Sequence, residues 1–235
     1  MSRLAICRRV ELTGVVPVVR ARNTEQAWLA CRALLAGGVD VLEVTMTVPD
    51  APNLIRELVA QFGKEVLVGA GTVLDAETAR SCIRAGAEFI VSPGFDPEIV
   101  RAAHDADKPA LPGALTPTEI MAALRANADI IKVFPASAMG GASYLRSLRA
   151  PFAAARFLPT GGVNVNTARD FIAAGAVALG VGSELIDPQA LARGDGETIT
   201  TRARELIAAV RAARQELVSE KTIEPRAVTE AQGRV

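Results

Sequence analysis

Ala85-Gly-Ala-Glu-Phe-Ile-Val91, Ala126-Asn-Ala-Asp-Ile-Ile-Lys132 and Ala174-Gly-Ala-Val-Ala-Leu-Gly180 align with one another without a gap. Each starts where an amphipathic pattern stops, at a Gly or Asn suited to a left-handed helix C-cap. Each then runs straight into a short apolar stretch. Ala36-Gly-Gly-Val-Asp-Val-Leu-Glu43 joins the set if one extra residue is allowed in its turn. A helix stop feeding an apolar strand, repeated along the chain, describes helix–strand units of a parallel sheet. Strands covered on both faces carry continuous rather than alternating hydrophobicity.

Working outward, apolar runs at Val15–Arg20, Val41–Met46, Val66–Thr72, Phe89–Pro93, Ala110–Gly113, Ile130–Pro135, Phe157–Thr160 and Ala178–Ser183 predict eight strands. Helical patterns such as Thr24–Ala36, Ala51–Phe62, Ala76–Ala85 and Thr167–Ala174 separate them. Thr116-Pro117-Thr118-Glu119 combines a capping box with a first-turn proline. Asp50, Asp75 and Asp96 are candidate N-caps, and Gly37, Gly86, Asn127 and Gly175 candidate left-handed stops. Eight strand–helix units in one α/β domain favour a closed (β/α)8 TIM barrel over residues 1–218. The open doubly wound alternative lacks a Gly-x-Gly-x-x-Gly at the first strand–helix turn. The polar stretch from 219 to 235 reads as a flexible C-terminal tail.

In such a barrel alternate strands supply one interior layer. The repeat leads into the second, fourth, sixth and eighth strands, so it sets Glu43, Val91, Lys132 and Gly180 at comparable height. Glu43 and Lys132 then face each other from opposite walls.

Composition narrows the chemistry. Lys plus Arg equals Asp plus Glu at 26 each, which points to neither nucleic acid nor an anionic membrane. No apolar run has membrane-spanning length and no signal peptide is evident, so a cytoplasmic location is expected. Cys7, Cys31 and Cys82 are scattered and read as reduced thiols, with Cys31 and Cys82 as small core residues. His104 is the sole histidine, which excludes a His-rich metal site but leaves an all-carboxylate magnesium site open, and its segment reads as a solvated helix.

Lys132, inside Ile130-Ile131-Lys132-Val133-Phe134-Pro135, is set in an apolar strand. Desolvation disfavours an ammonium, and a neutral amine attacks a ketone to form a Schiff base. Glu43, inside Val41-Leu42-Glu43-Val44-Thr45-Met46, fits a general acid/base or a structural partner of Lys132. A buried ion pair is a weak route to stability, which favours the chemical role. Pro159-Thr160-Gly161-Gly162 and Gly180-Val181-Gly182-Ser183 follow the last two strands, where barrels commonly bind phosphate through backbone amides. Thr72 can hydrogen-bond a carboxylate. Pro93 either shapes the pocket wall or serves turn chemistry alone. Arg20 ends the first strand, where it either meets an anion or is an ordinary exposed arginine.

At these residues the chain resembles the 2-keto-3-deoxy-6-phosphogluconate (KDPG) / 4-hydroxy-2-oxoglutarate (KHG) aldolase family. The resemblance runs from about Gly14 to about Asp187, through Leu42-Glu43-Val44-Thr45, Gly69-Ala70-Gly71-Thr72-Val73, Ser92-Pro93, Pro112-Gly113, Lys132-Val133-Phe134-Pro135, Pro159-Thr160-Gly161-Gly162 and Gly182-Ser183. It implies a cofactor-free, metal-free class I aldolase, working as a homotrimer. Its substrate would be a phosphorylated keto-deoxy sugar acid, split into pyruvate and glyceraldehyde 3-phosphate. It assigns Lys132 to the Schiff base and Glu43 to proton transfer. Thr72 and Pro93 fall at the pyruvate end, and Gly161, Gly162 and Ser183 at the phosphate end. Phe134, Thr160 and Gly182 lie in the same motifs and join the binding residues. Some relatives carry an arginine where this chain has Thr47, and Arg20 is the expected substitute. KHG, the galactonate epimer, a phosphate-binding isomerase and a non-catalytic assembly subunit are the alternatives.

Overall fold

Each of the four aligned segments makes the same helix-to-strand turn in the computed structural model, which describes the backbone of residues 1–230 and side chains through Ser219. The left-handed residues are Gly38, Gly86, Asn127 and Gly175, with φ of 89°, 108°, 58° and 93°. The next amide returns to the carbonyl five residues back every time: Val39 to Leu34, Ala87 to Cys82, Ala128 to Ala123 and Ala176 to Phe171. This is one Schellman stop used four times. It corrects two expectations. Gly37 is right-handed, at φ −81°, and Gly38 makes the turn. Aligned on Gly38, the segment ending at Glu43 needs no extra residue.

The strands are β1 Val15–Val19, β2 Val41–Thr45, β3 Leu67–Gly71, β4 Ile90–Val91, β5 Ala110–Leu111, β6 Ile131–Val133, β7 Phe157–Pro159 and β8 Leu179–Val181. The helices are α1 Arg3–Thr13, α2 Thr24–Ala36, α3 Ala51–Phe62, α4 Ala76–Arg84, α5 Pro97–His104, α6 Pro117–Arg125, α7 Ala142–Arg149, α8 Val165–Ala173, α9 Pro188–Ala192 and α10 Gly196–Glu230. All strand pairs are parallel. Six strands form one curled sheet in the order β5-β4-β3-β2-β1-β8, and β6 pairs with β7. Single bridges join the two sheets on both sides, Gly113 to Lys132 and Phe157 to Ala176, with a further one from Thr160 to Gly180.

The caps follow the chemistry of their residues. Asp75 and Asp96 accept from Thr78 and Glu98 amides, and Thr116 with Glu119 forms a complete capping box. Asp50 departs from expectation: its backbone is left-handed at φ 51° and its side chain makes no cap bond. The backbone of α10 is helical to Glu230, through most of the stretch read as an aperiodic tail. Extending a packed helix costs little per added residue. Residues 231–235 and the side chains beyond Ser219 lie outside the described residues, and with them the expectation of a flexible end.

Helix α1, unforeseen as an element, seals one end of the molecule. Its Ile6 and Val10 pack on Val16, Val41, Leu67, Phe89, Leu111, Ile130, Leu158 and Ala178, an inward residue near the start of each strand. Arg9 ties it down through Asp40 and the carbonyls of Lys64 and Glu65. The Ile6/Val10 spacing was the available signal. Nearby, His104 contradicts its solvated reading: its Nε2 lies 2.9 Å from Asp129 Oδ2, which also accepts from the Ala110 amide. That pairing anchors the turn into β6.

Above this floor the interior is built from glycines that make room for neighbours. Phe89 fills the space at Gly69, the Pro93 carbonyl that at Gly113, Thr160 that at Gly180, and Glu43 that at Gly71. Phe89 is fully buried. Replacing it by Ala opens a cavity that backbone cannot fill, so a loss of about 3–5 kcal/mol is expected in denaturant or thermal melts. An unchanged midpoint would mean that the floor does not carry the stability of the interior.

Candidate active site

Buried polar side chains concentrate at one end of the strands. Glu43, Thr45, Ser92, Lys132 and Thr160 are all buried there, whereas Thr200, the remaining one among the described residues, simply bonds the Ala33 carbonyl from α10. Burying so many polar groups together costs free energy unless each is paired, so the cluster requires a chemical reason.

Lys132 and Glu43 meet across the interior. Nζ lies 3.5 Å from Oε1, and the residues are 4% and 0% exposed. At that length the contact is an ion-pair approach rather than a tight hydrogen bond. Glu43 Oε2 and Thr160 Oγ1 are the buried side-chain polar atoms with no partner among the described residues. Nζ also stands 5.6 Å from the centre of the Phe134 ring. A lysine and a carboxylate with an unused oxygen therefore meet in the interior, and the unused Thr160 hydroxyl packs against Gly180. The expectation from the repeat, that Glu43 and Lys132 face each other, agrees with this geometry.

A cavity of about 150 Å³ opens beside them, lined by Arg20, Phe134, Thr160, Gly161, Gly162, Gly182 and Ser183, together with Val18, Val163, Gly180 and Glu184. Seven of the residues expected at the site are thus brought together. Gly161 and Gly162 have φ of 98° and 70°, conformations natural to glycine, which keep their backbone open toward the cavity. The N-terminus of α8 follows two residues later.

Lys132 and Glu43 are not among the cavity's lining residues and connect to it through Phe134, and Thr47, Thr72 and Pro93 do not line it either. Thr47 is exposed and bound to Thr45, hydroxyl to hydroxyl, at 2.6 Å. Thr45 spends its proton on the Val19 carbonyl at 2.9 Å, so Thr47 is the donor to Thr45 and shows only lone pairs outward. That polarity suits a hydroxyl, not a carboxylate. Thr72 has φ 56°, a conformation a β-branched residue adopts only under local strain of order 1–3 kcal/mol. Pro93 is fixed by the slot at Gly113, and the preceding Ser92 hydroxyl donates to the Gly94 carbonyl.

The sequence reasoning missed the buried hydroxyl of Thr45, the third inward-facing residue of β2; period-two counting from Glu43 was enough to find it. Thiol chemistry is set aside by burial, which pushes Cys7 and Cys82 up to about 11 and Cys31 up to about 12. Cys31 and Cys82 are buried free thiols, as expected for core residues, and Cys7 is buried with them. Among the described residues no cluster of His, Cys, Asp or Glu could hold a metal ion, and no helix is long and apolar enough to cross a membrane.

Known proteins resemble this chain in sequence and fold. A KHG/KDPG aldolase of Escherichia coli K12 is 39% identical over 193 residues, 82% of this chain and 90% of its own length. Among solved structures, a KDPG aldolase from Legionella pneumophila, with pyruvate captured at low pH as a covalent carbinolamine, superposes with a TM-score of 0.79 at 30% identity, covering 86% of this chain and 97% of that one. A subunit of a cube-shaped cage designed by fusing symmetric oligomeric domains superposes with a TM-score of 0.84 at 27% identity, covering 93% and 79%. Residues 6–202 match the family described as KDPG and KHG aldolase. The chain belongs to the KDPG and KHG aldolase family.

Proposed function

We propose that this protein is a class I aldolase that cleaves 2-keto-3-deoxy-6-phosphogluconate to pyruvate and glyceraldehyde 3-phosphate through a Schiff base on Lys132. The observation that carries the reading is the buried approach of Lys132 Nζ to the Glu43 carboxylate beside a glycine-lined anion cavity. The amine adds to the C2 ketone, and Glu43 moves the protons that let water leave the carbinolamine. The C3–C4 bond then breaks as the C4 hydroxyl loses its proton, and the electron pair enters the protonated imine as an enamine. Glyceraldehyde 3-phosphate departs, C3 takes a proton, and water hydrolyses the imine to free pyruvate. Gly161, Gly162 and Ser183 hold the phosphate, Thr72 and Pro93 the pyruvate end, with Phe134, Thr160 and Gly182 along the wall between them.

Arg20 shares its cavity with the phosphate loops, and that placement supports a phosphate contact over replacing the arginine absent at Thr47. Arg20→Ala is expected to raise KM about 10-fold or more for the phosphorylated substrate, the loss of one charge-assisted contact. A larger rise for pyruvate in the condensation direction would return Arg20 to the carboxylate.

Supporting the closed eight-stranded barrel are the bridges that join both sides of the β6–β7 pair to the six-stranded sheet. A cytoplasmic homotrimer fits the family and the oligomeric origin of the cage subunit. KHG is the second substrate reading, favoured by the name of the Escherichia coli relative. The test is intact-mass analysis after pyruvate and borohydride, with peptide mapping. A pyruvate-sized adduct on Lys132 is expected; none in a folded sample would sink the imine mechanism.

A further inference from the structure

Glu43 is seated by packing, not by hydrogen bonds. Its Oε2 has no partner, and Oε1 approaches Lys132 alone at 3.5 Å. Strands β2 and β3 pair with Glu43 beside Gly69 and Thr45 beside Gly71, so the carboxylate rises along β3 toward the site. A Cβ built on Gly71 would stand 2.5 Å from Glu43 Cγ, 2.6 Å from Cδ and closer still to Oε1. Real Cβ atoms essentially never approach within 3.0 Å, and all three nearest atoms belong to Glu43.

The backbone does not ask for glycine here. Gly71 lies within β3 and is absent from the positive-φ residues, and glycine weakens a strand interior. What the position needs is the absence of a side chain. Gly69, one pleat below, has a different tenant, the Phe89 ring.

We infer that Gly71 is a positioning residue for the proton-transfer step: its missing methyl is the slot that sets where the Glu43 carboxylate sits relative to Lys132. This rests on the reading of Glu43 as the acid/base. A methyl at this position pushes the carboxylate out of line while leaving the Lys132 amine in place, so imine formation and carbon protonation separate.

The experiment follows deuterium exchange of the pyruvate methyl group in heavy water alongside borohydride trapping. Gly71→Ala is expected to trap pyruvate on Lys132 after long incubation, while exchange per trapped lysine falls about 100-fold, the scale of a lost general acid/base. Exchange at the wild-type rate in folded Gly71→Ala overturns the proposal. Melting temperatures decide the case in which that variant folds poorly. Gly71→Ala should lower the melting temperature in the wild type but not in Glu43→Ala, where the crowding atoms are gone. An equal loss in both backgrounds overturns it. Gly69→Ala, which meets Phe89 instead, should lose stability in both and leave the exchange-to-trapping ratio unchanged. Wild-type protein that traps no pyruvate removes the aldolase reading instead, a result visible before any Gly71 variant is made.

Discussion

Lys132→Met is expected to abolish borohydride trapping of pyruvate and to lower kcat/KM by at least about 10⁴-fold, the scale seen when a covalent nucleophile is removed. Two facts set the size of this effect. Lys132 is the one buried lysine among the described residues: Lys64 is exposed and Lys108 is paired with Glu88. Without an imine there is no sink for the electrons of the broken C3–C4 bond. The same change leaves Glu43 buried without its cation, and breaking one side of a buried pair costs about 3–5 kcal/mol. Melting should therefore show a stability loss that Glu43→Gln, added in the same chain, partly reverses while activity stays absent. Residual turnover within about 10-fold of wild type would place the nucleophile elsewhere.

Glu43→Gln carries the second large effect, with a different signature. Gln keeps the volume and fills the slot at Gly71, so the wall is preserved and only proton transfer is lost. The expected result is a fall in kcat of about 10²–10⁴-fold with trapping retained on a longer time scale. The split matters more than the size. A variant that traps slowly but exchanges the pyruvate methyl at the normal rate would relieve Glu43 of its role at carbon and leave it a structural partner of Lys132. The unsatisfied oxygen of Glu43 argues against that outcome, because a purely structural carboxylate at 0% exposure would be expected to have both oxygens occupied.

Much of this architecture was readable because one physical signal repeated. A helix stop of fixed geometry feeding a short apolar strand marked β2, β4, β6 and β8, apolar runs marked the other four, and α2 and α3 begin and end where their periodicity predicted. Lys132 and Glu43 stood out because a charge inside a continuous apolar strand has few structural excuses. Helix α1 was overlooked since its polar face is rich in arginine and only Ile6, Cys7 and Val10 are buried. His104 was misread because Asp129, its partner, is 25 residues away and local pattern carries no trace of a long-range bond. Asp50 and Gly37 show a limit of capping rules. A residue of the right type beside a helix end still takes its conformation from the turn that follows. The grouping of Arg20 with the last two loops likewise needed the sheet to curl, bringing β1 beside β8.

The floor made by α1 has a further consequence for traffic. With one end plugged by Ile6 and Val10, the proposed reaction leaves substrate and both products the opposite end of the strands. In the proposed mechanism the aldehyde, once cut loose, backs out past the glycine loops while its sister fragment is still tethered to Lys132. Release is therefore queued, aldehyde first and pyruvate second. A high concentration of pyruvate alone is then expected to inhibit cleavage by occupying Lys132.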